Sequence, residues 1–377
     1  MPINSEMIDA LLQDYAKPDD VLAQNGLLKQ LTTALLERAR TAESRPRFAG
    51  FDDRIVSMFV RGADTAGIRK RLNIACGVDV SLELIADVIG ALAGKLQAWQ
   101  NRTLESVYPI VFLDTLHIRV KRPDGVEALT IYVPVGIDLD GRREVLGFWA
   151  GDDQGAGLWL DDLRRLRERG VNDILLVCAD KLAGLGEALQ TAYPQAQLHL
   201  HILHMIQASL GYVGRQDCRR VELDLRPIYQ AATPAQATAG LADFSVKWGA
   251  SHGAVLKLWE ENWERVLSFC ALPEEVRRVL SSTNALQALN RHFRQALKRH
   301  SSFPDGGEPL TLLYAATLTG PRDWEYAQNW RNALNRFEVK WGDRIKSALA
   351  PQTAQSGPPE LALVSSASAD CPPPPVH

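Results

Sequence analysis

The sequence has no apolar run of about 18 residues, the length that a helix needs to span a membrane. Its first residues, MPINSEMIDALLQDY, carry acidic groups where a secretory signal has a basic and then an apolar stretch. The five cysteines all lie more than four residues apart, so no C-x-x-C pair is present to bind a metal or carry out redox chemistry. Together these absences predict a cytoplasmic protein with reduced thiols and no contact with a membrane.

The chain also lacks an overall excess of positive charge. It has 42 basic and 45 acidic residues, a formal charge of −3, which taken alone argues against a nucleic-acid partner. Residues 277–300 nevertheless contain six basic residues and no acid, which leaves 36 basic against 45 acidic residues elsewhere. Within this segment Arg291, Arg294 and Lys298 have the spacing of one helical face. Such a face either follows a phosphate backbone or is simply solvated, and the sequence leaves both interpretations open.

The composition is that of a folded protein, with 46% apolar and 23% charged residues among 377, a length that predicts two or three domains. Residues 1–50 are predicted to form a helical region, since leucines recur at helical spacing between Leu27 and Leu36. Residues 349–377 are predicted to be a disordered tail, because they are rich in proline and contain no Lys or Arg.

Residues 51–104 have the pattern of a helix, a glycine turn at Gly77 and a second helix capped by Ser81. This order is typical of a helix-turn-helix DNA-binding region. The second helix has few basic residues, so a helical hairpin with no role in nucleic-acid binding is the alternative.

From Tyr108 the apolar period changes from helical to strand spacing. Three strands are predicted in YPIVFLDTLHIRVKR, ALTIYVPVGID and REVLGFWAG, followed by a helix, the buried strand DILLVCAD, a second helix and a strand at residues 197–203. This order predicts an α/β ribonuclease H-like core, with the first and fourth strands adjacent and parallel. The core is assigned to residues 105–205, an all-helical insertion to 206–280, and the C-terminal helices of the core to 281–348.

Two aspartates of this core are candidates for metal binding. Asp114 lies on the apolar face of the first strand, which is costly unless its charge is paired or binds a metal. Asp180 ends the buried strand predicted to lie beside it. Two neighbouring carboxylates suit Mg²⁺ or Mn²⁺, although two unrelated aspartates would give the same pattern.

Several segments resemble the Mutator-type family of insertion-sequence transposases. The resemblance includes YPIVFLDTLHIRV, the stretch from GIDLDGRREV to DILLVCAD, and STNALQALNRHFRQALKRHSSFP, and extends over most of residues 26–345. It implies a DD(E) transposase that uses a divalent metal to cleave DNA at terminal inverted repeats and to join the ends to target DNA. It also implies a homo-oligomer in the bacterial cytoplasm, associated with the nucleoid.

By position in the family motifs, Asp114 and Asp180 match the first two catalytic carboxylates. The third, a glutamate in the family, is Gln287 here, and its neutral amide is a poorer ligand for a hard cation. The residues assigned to DNA binding are Asn290, Arg291, Arg294, Lys298 and Arg299.

Other departures from the family pattern are Lys181 in place of a glycine, His201 in place of the cysteine of a C-x-x-H motif that ends at His204, and a shortened segment between Arg40 and Phe51. His201 and His204 form a conceivable metal pair.

Three functions remain open at this stage. The first is an active transposase with impaired catalysis, and the second is a DNA-binding relic or regulator of the same family that cannot cleave. The third is a ribonuclease H-like nuclease without transposition, against which the helical insertion argues.

Overall fold

The computed structural model describes residues 50–76, 80–122, 125–151, 156–180, 182–281, 284–300, 308–320 and 325–350. The predicted N-terminal helical region up to residue 49, the Gly77 turn, Lys181 and the proline-rich residues 351–377 lie outside the described residues.

The centre of the fold is one mixed sheet. Its strands are β1 Val107–Arg122, β2 Gly125–Ile137, β3 Arg143–Val145, β4 Trp149–Gly151, β5 Asp173–Ala179 and β6 Gln197–Leu200. The order is β3-β2-β1-β5-β6, with β4 also paired to β2. Strands β1 to β4 pair antiparallel, whereas β5 lies parallel to both β1 and β6. The predicted parallel pairing of the first strand with the buried strand is confirmed, and the fold is compatible with a ribonuclease H-like core.

The third predicted strand is wrong as a single element, because it is divided into β3 and β4. The ladder is interrupted at Phe148, which contacts Gln100 at the end of the helix Leu82–Gln100. The side-chain amide of Gln100 donates to the Phe148 carbonyl at 3.0 Å, and its oxygen accepts from the Phe148 N–H at 2.8 Å. The backbone at Phe148 therefore bonds to a side chain instead of continuing the ladder.

Fourteen helices surround the sheet in the part of the chain that the structure describes. They are α1 Phe51–Val60, α2 Thr65–Cys76, α3 Leu82–Gln100, α4 Ala156–Glu168, α5 Leu185–Ala192, α6 Ile202–Gly211, α7 Cys218–Tyr229, α8 Pro234–Trp248, α9 Gly253–Glu261, α10 Trp263–Cys270, α11 Glu274–Ser281, α12 Asn284–Arg299, α13 Glu308–Thr319 and α14 Trp330–Leu349. None of them is both long and apolar enough to cross a membrane.

Helices α1–α3 cover one side of the core. The predicted cap of α3 is confirmed, since the Ser81 hydroxyl accepts from the Leu84 N–H at 3.2 Å. Helix α3 buries Ile85, Val88, Leu92 and Leu96, and both α1 and α3 pack against α13. These N-terminal helices therefore share one apolar core with the C-terminal helices.

The segment predicted to be a helical insertion contains α6–α11. It begins earlier than expected, because the predicted strand at 197–203 ends at Leu200 and His201 is the N-cap of α6. Helix α10 packs on β6, and the buried Trp259 indole donates to the Ser209 hydroxyl at 2.9 Å. The insertion therefore packs directly against β6, the edge strand that lies parallel to β5.

Helix α14 joins the C-terminal part to β1 and β5. The Arg344 guanidinium donates to both carboxylate oxygens of Asp173, at 3.0 and 2.8 Å, in a two-pronged ion pair at the start of β5. This contact ties the far end of the chain to the strand that leads to Asp180.

Candidate functional site

Asp114 is a buried charge in the middle of the sheet. It shares a face of β1 with Ile110, Phe112 and Leu116, and its exposed fraction is 1%. An ionised carboxylate in such surroundings needs charged or hydrogen-bonding partners to offset its lost hydration. The residues around Asp114 therefore define the site.

The strand register brings Asp180 next to Asp114. Leu113 pairs with Ala179 in the parallel ladder of β1 and β5. The residues that follow them therefore lie side by side: Asp114 within β1, and Asp180 directly after the end of β5. Strand β6 ends at the same edge, since Leu200 pairs with Ala179. The carboxyl ends of parallel strands are where α/β folds expose functional groups.

Two histidines from the start of α6 complete this cluster. His201 Nε2 lies 3.4 Å and His204 Nε2 lies 3.1 Å from Asp114 Oδ1. The two imidazole rings are stacked, with centroids 3.8 Å apart and planes 4° from parallel. Their i, i+3 spacing at the first turn of a helix places both on the side that faces β1.

His204 bridges the two carboxylates. Its Nδ1 lies 3.0 Å from Asp180 Oδ2, while its Nε2 faces Asp114. Burial alone would lower the pKa of His204, but the contacts with both aspartates outweigh it and raise that pKa to about 9. At neutral pH a protonated imidazole therefore separates the two negative charges, where a metal ion would otherwise relieve their repulsion.

The neighbouring groups have pKa values shifted by the same burial and contacts. Burial lowers the pKa of His201 to about 4, so this ring is neutral at physiological pH. Burial would raise the pKa of Asp114, yet the nearby His204, His201 and Asn290 hold it below its usual value. Asp114 is thus ionised despite its position inside the sheet.

Helix α12 supplies a further partner of Asp114. The Asn290 side-chain amide donates to Asp114 Oδ2 at 2.5 Å, and Asn290 is only 8% exposed. Asn290, which the sequence assigns to DNA binding, lies against the buried carboxylate. Gln287 lies one helical turn earlier and is half-buried.

The helical insertion also reaches the site. The Arg265 guanidinium of α10 donates to the Ala179 carbonyl at 3.1 Å, at the end of β5 and close enough to interact with Asp180. Arg265 is not among the site residues predicted from the sequence. Nothing local marks it, because its role depends on how the insertion packs against the sheet.

Four assigned DNA-binding residues lie on the surface of α12. Arg291, Arg294, Lys298 and Arg299 are all exposed, and together we call them the basic stripe. Arg277 of the same basic segment is buried and donates to the carbonyls of Leu272 and Ala231, at 3.0 and 2.7 Å. Fewer basic side chains of residues 277–300 are therefore exposed than the sequence composition indicated.

The ligand atoms of Asp114, His201 and His204 lie within 4.8 Å of one another, close enough to hold a metal ion. Neither ring nitrogen of His201 has a hydrogen-bonding partner in the described residues. Buried donors and acceptors without partners are uncommon in native proteins and are consistent with a bound cation. The site thus contains two carboxylates, Asp114 and Asp180, and two imidazoles near the carboxyl end of β5.

Comparison with known proteins identifies relatives over most of the chain. The model of the Mutator family of transposases matches residues 16–327. The transposase for insertion sequence element ISRM3 of Rhizobium meliloti (strain 1021) is 35% identical over 328 residues, which cover 85% of this chain and 82% of the relative. A probable transposase for an insertion sequence element of Corynebacterium diphtheriae is 31% identical over 80% of this chain and 94% of its own length. Both the family match and these relatives agree with the resemblance found in the sequence, and the chain belongs to the Mutator family of transposases.

Proposed function

We propose that this protein is a transposase that binds the terminal inverted repeats of its insertion sequence and catalyses DNA cleavage and strand transfer. The observation that carries the proposal is the carboxylate of Asp114, buried in the central strand β1 directly after Leu113, which pairs with Ala179, the residue before Asp180. Membership of the Mutator family supports the reaction class.

Asp114 and Asp180 are the proposed ligands of Mg²⁺ or Mn²⁺. Such ions, when bound, activate a nucleophilic oxygen and stabilise the leaving oxygen of a phosphodiester. The chain fixes Asp114 through Asn290 and leaves Asp180 half-exposed. His204 lies between the carboxylates, so its ring has to turn away before both can bind one ion.

The basic stripe is proposed to hold the DNA. It starts at Arg291, directly after Asn290, which contacts Asp114, and continues along α12 to Arg299. Cationic side chains in this direction guide a phosphate backbone toward the carboxylates. Both transposon ends must be joined to one target, and we therefore expect a homo-oligomer.

Gln287 is expected to reduce the rate of cleavage. Its position on α12, one turn before Asn290, is where the family glutamate would supply a third carboxylate. A neutral amide in that place weakens the binding of a hard cation. For this reason a DNA-binding regulator that does not cleave is the second candidate function.

One experiment separates these two candidates. The purified chain and its Gln287→Glu variant are incubated with labelled terminal-repeat DNA and Mg²⁺ or Mn²⁺. We expect both to bind the DNA, with weak cleavage by the parent and at least a tenfold increase in the variant. Equal, efficient strand transfer by both proteins would rule out impairment by Gln287, and loss of DNA binding in both would rule out both functions.

A further inference from the structure

We propose that Asp114, His201 and His204 form a site for one nitrogen-preferring divalent metal ion, such as Zn²⁺ or Co²⁺, in which Asp180 supports His204 from outside the coordination shell. This site is distinct from a magnesium site held by the two carboxylates, because it uses both imidazoles and leaves Asp180 unligated.

The distances from both histidine nitrogens to Asp114 Oδ1 fit a single small ion, and one of the two stacked rings has to turn for both nitrogen lone pairs to meet it. Two atoms that each lie about 2.0–2.1 Å from a tetrahedral Zn²⁺ are about 3.3 Å apart. The Nε2 atoms of His201 and His204 lie 3.4 and 3.1 Å from Asp114 Oδ1, on either side of that value. The three ligands are held by β1 and by the first turn of α6, two rigid elements.

The ring nitrogens of His201 have no hydrogen-bonding partner in the described structure, although His201 is only 3% exposed. Its Nε2 lies 3.4 Å from Oδ1 of Asp114, a carboxylate that is 1% exposed. Burial of His201 without a hydrogen-bonding partner costs free energy that a bound cation would offset.

The contact between His204 and Asp180 matches the support that metal-binding histidines receive. A histidine that ligates through one ring nitrogen almost always donates its other N–H to a carboxylate or carbonyl, which fixes the ring. His204 faces Asp114 through Nε2 and contacts Asp180 Oδ2 through Nδ1 at 3.0 Å. An ion held by Nε2 would leave the Nδ1 contact with Asp180 in place.

The ligand chemistry determines the preferred metal. Imidazole nitrogen suits zinc, cobalt, nickel and copper, whereas Mg²⁺ requires oxygen ligands in octahedral geometry. His201, which replaces the cysteine of the family motif, adds the second nitrogen. If the proposed function holds, an ion bound here keeps Asp114 and Asp180 from sharing a catalytic metal, and so inhibits cleavage.

The test measures metal binding by the metal-free full chain without DNA, so its outcome is separate from that of the cleavage assay. Co²⁺ is expected to bind one equivalent with the visible absorption bands of a tetrahedral site, and Zn²⁺ to displace it. His201→Ala should weaken binding at least 100-fold and Asp180→Asn by roughly 10–100-fold. His117→Ala is the matched control, because this histidine of β1 is exposed and its ring contacts the Thr130 hydroxyl, and it should bind as the parent does.

A second variant distinguishes ligation from loss of fold. His201→Cys restores the family residue and should bind Co²⁺ with a new sulfur-to-cobalt absorption band, which only a directly ligating thiolate produces. No saturable Co²⁺ or Zn²⁺ binding by the parent chain would overturn the proposal. It would also be overturned if folded His201→Ala bound like the parent, or if His201→Cys bound Co²⁺ without the sulfur band.

Discussion

The ionised state of Asp114 depends on three neighbouring side chains that come from distant parts of the chain. His201 and His204 approach from α6, and Asn290 donates from α12. Each contact lowers the free energy of a charge that would otherwise be unfavourable inside a sheet. The site is therefore sensitive to the loss of any one partner.

Replacement of Asn290 by alanine should destabilise the protein. Asn290→Ala leaves a buried carboxylate oxygen without its donor, a loss of about 1–3 kcal/mol in the free energy of unfolding. Urea unfolding monitored by circular dichroism measures the change. Gln295→Ala on the exposed face of the same helix is the control and should change stability by less than about 0.5 kcal/mol. Equal stability of the two variants would contradict the assigned role of Asn290.

Asp162 should make stability depend on pH. Burial on α4 raises the pKa of Asp162 from 3.8 to about 6, despite the nearby Arg165, and its side chain is 16% exposed. The folded state disfavours the ionised form of Asp162. The contribution of this side chain to the free energy of unfolding is therefore greatest below pH 4 and falls as the pH rises from about 4 to 6.

Asp162→Asn should therefore raise the free energy of unfolding by about 1–2 kcal/mol at pH 7.5 and leave it unchanged near pH 4. Thermal or urea unfolding at both pH values measures this difference. The adjacent Asp161→Asn is the control, because its side chain is 66% exposed. A stabilisation that is the same at both pH values would show that ionisation of Asp162 is not its cause.

At the scale of elements, α12 combines two tasks. Its inner face carries Asn290 to Asp114, and its outer face carries the basic stripe. The helix is strongly amphipathic, with Leu289 and Phe293 fully buried between these faces. One rigid helix thus sets the distance between the proposed DNA contacts and the carboxylates.

The double substitution Arg294→Gln/Lys298→Gln should weaken DNA binding without affecting the fold. Removal of two phosphate contacts is expected to reduce the slope of log affinity against log salt concentration by roughly 2. Fluorescence anisotropy with terminal-repeat DNA at several salt concentrations measures the slope. Arg278→Gln, a basic residue of α11 paired with Glu274, should leave the slope unchanged. An unaltered slope in the double variant would place the DNA elsewhere.

The sequence predicted the elements of the core better than their ends. Alternation of apolar residues identified β1, β2 and β5, and the position of Asp114 on an apolar face indicated a functional group. The break between β3 and β4 could not be predicted, because it depends on Gln100, a residue 48 positions from Phe148. The burial of Asn290 could not be predicted for the same reason: helical spacing gives relative faces, but only packing decides which face is buried.

At the scale of the whole molecule, the site is assembled from four separated segments. Asp114, Asp180, the pair His201 and His204, and Asn290 meet only when the sheet, the start of the insertion and α12 are all in place. The N-terminal helices and α13 share the same apolar core. The site therefore forms only when the whole chain folds, and no short fragment contains all of its residues.

The net charge of the whole chain gave no indication of the proposed DNA partner. The formal charge of −3 averages an acidic scaffold with the basic stripe, which the structure places on one exposed helix face. Local arrangement, rather than net charge, supports the DNA-binding proposal.

The most direct test of a catalytic Asp114 is strand transfer by the Gln287→Glu chain with and without Asp114→Asn. Labelled terminal-repeat DNA, a target plasmid and Mg²⁺ are supplied to both proteins, and anisotropy confirms that each still binds the DNA. We predict joined products from Gln287→Glu alone and a loss of at least 100-fold when Asp114→Asn is added. Equal amounts of product from the two proteins would contradict the assignment of Asp114 to the catalytic metal site.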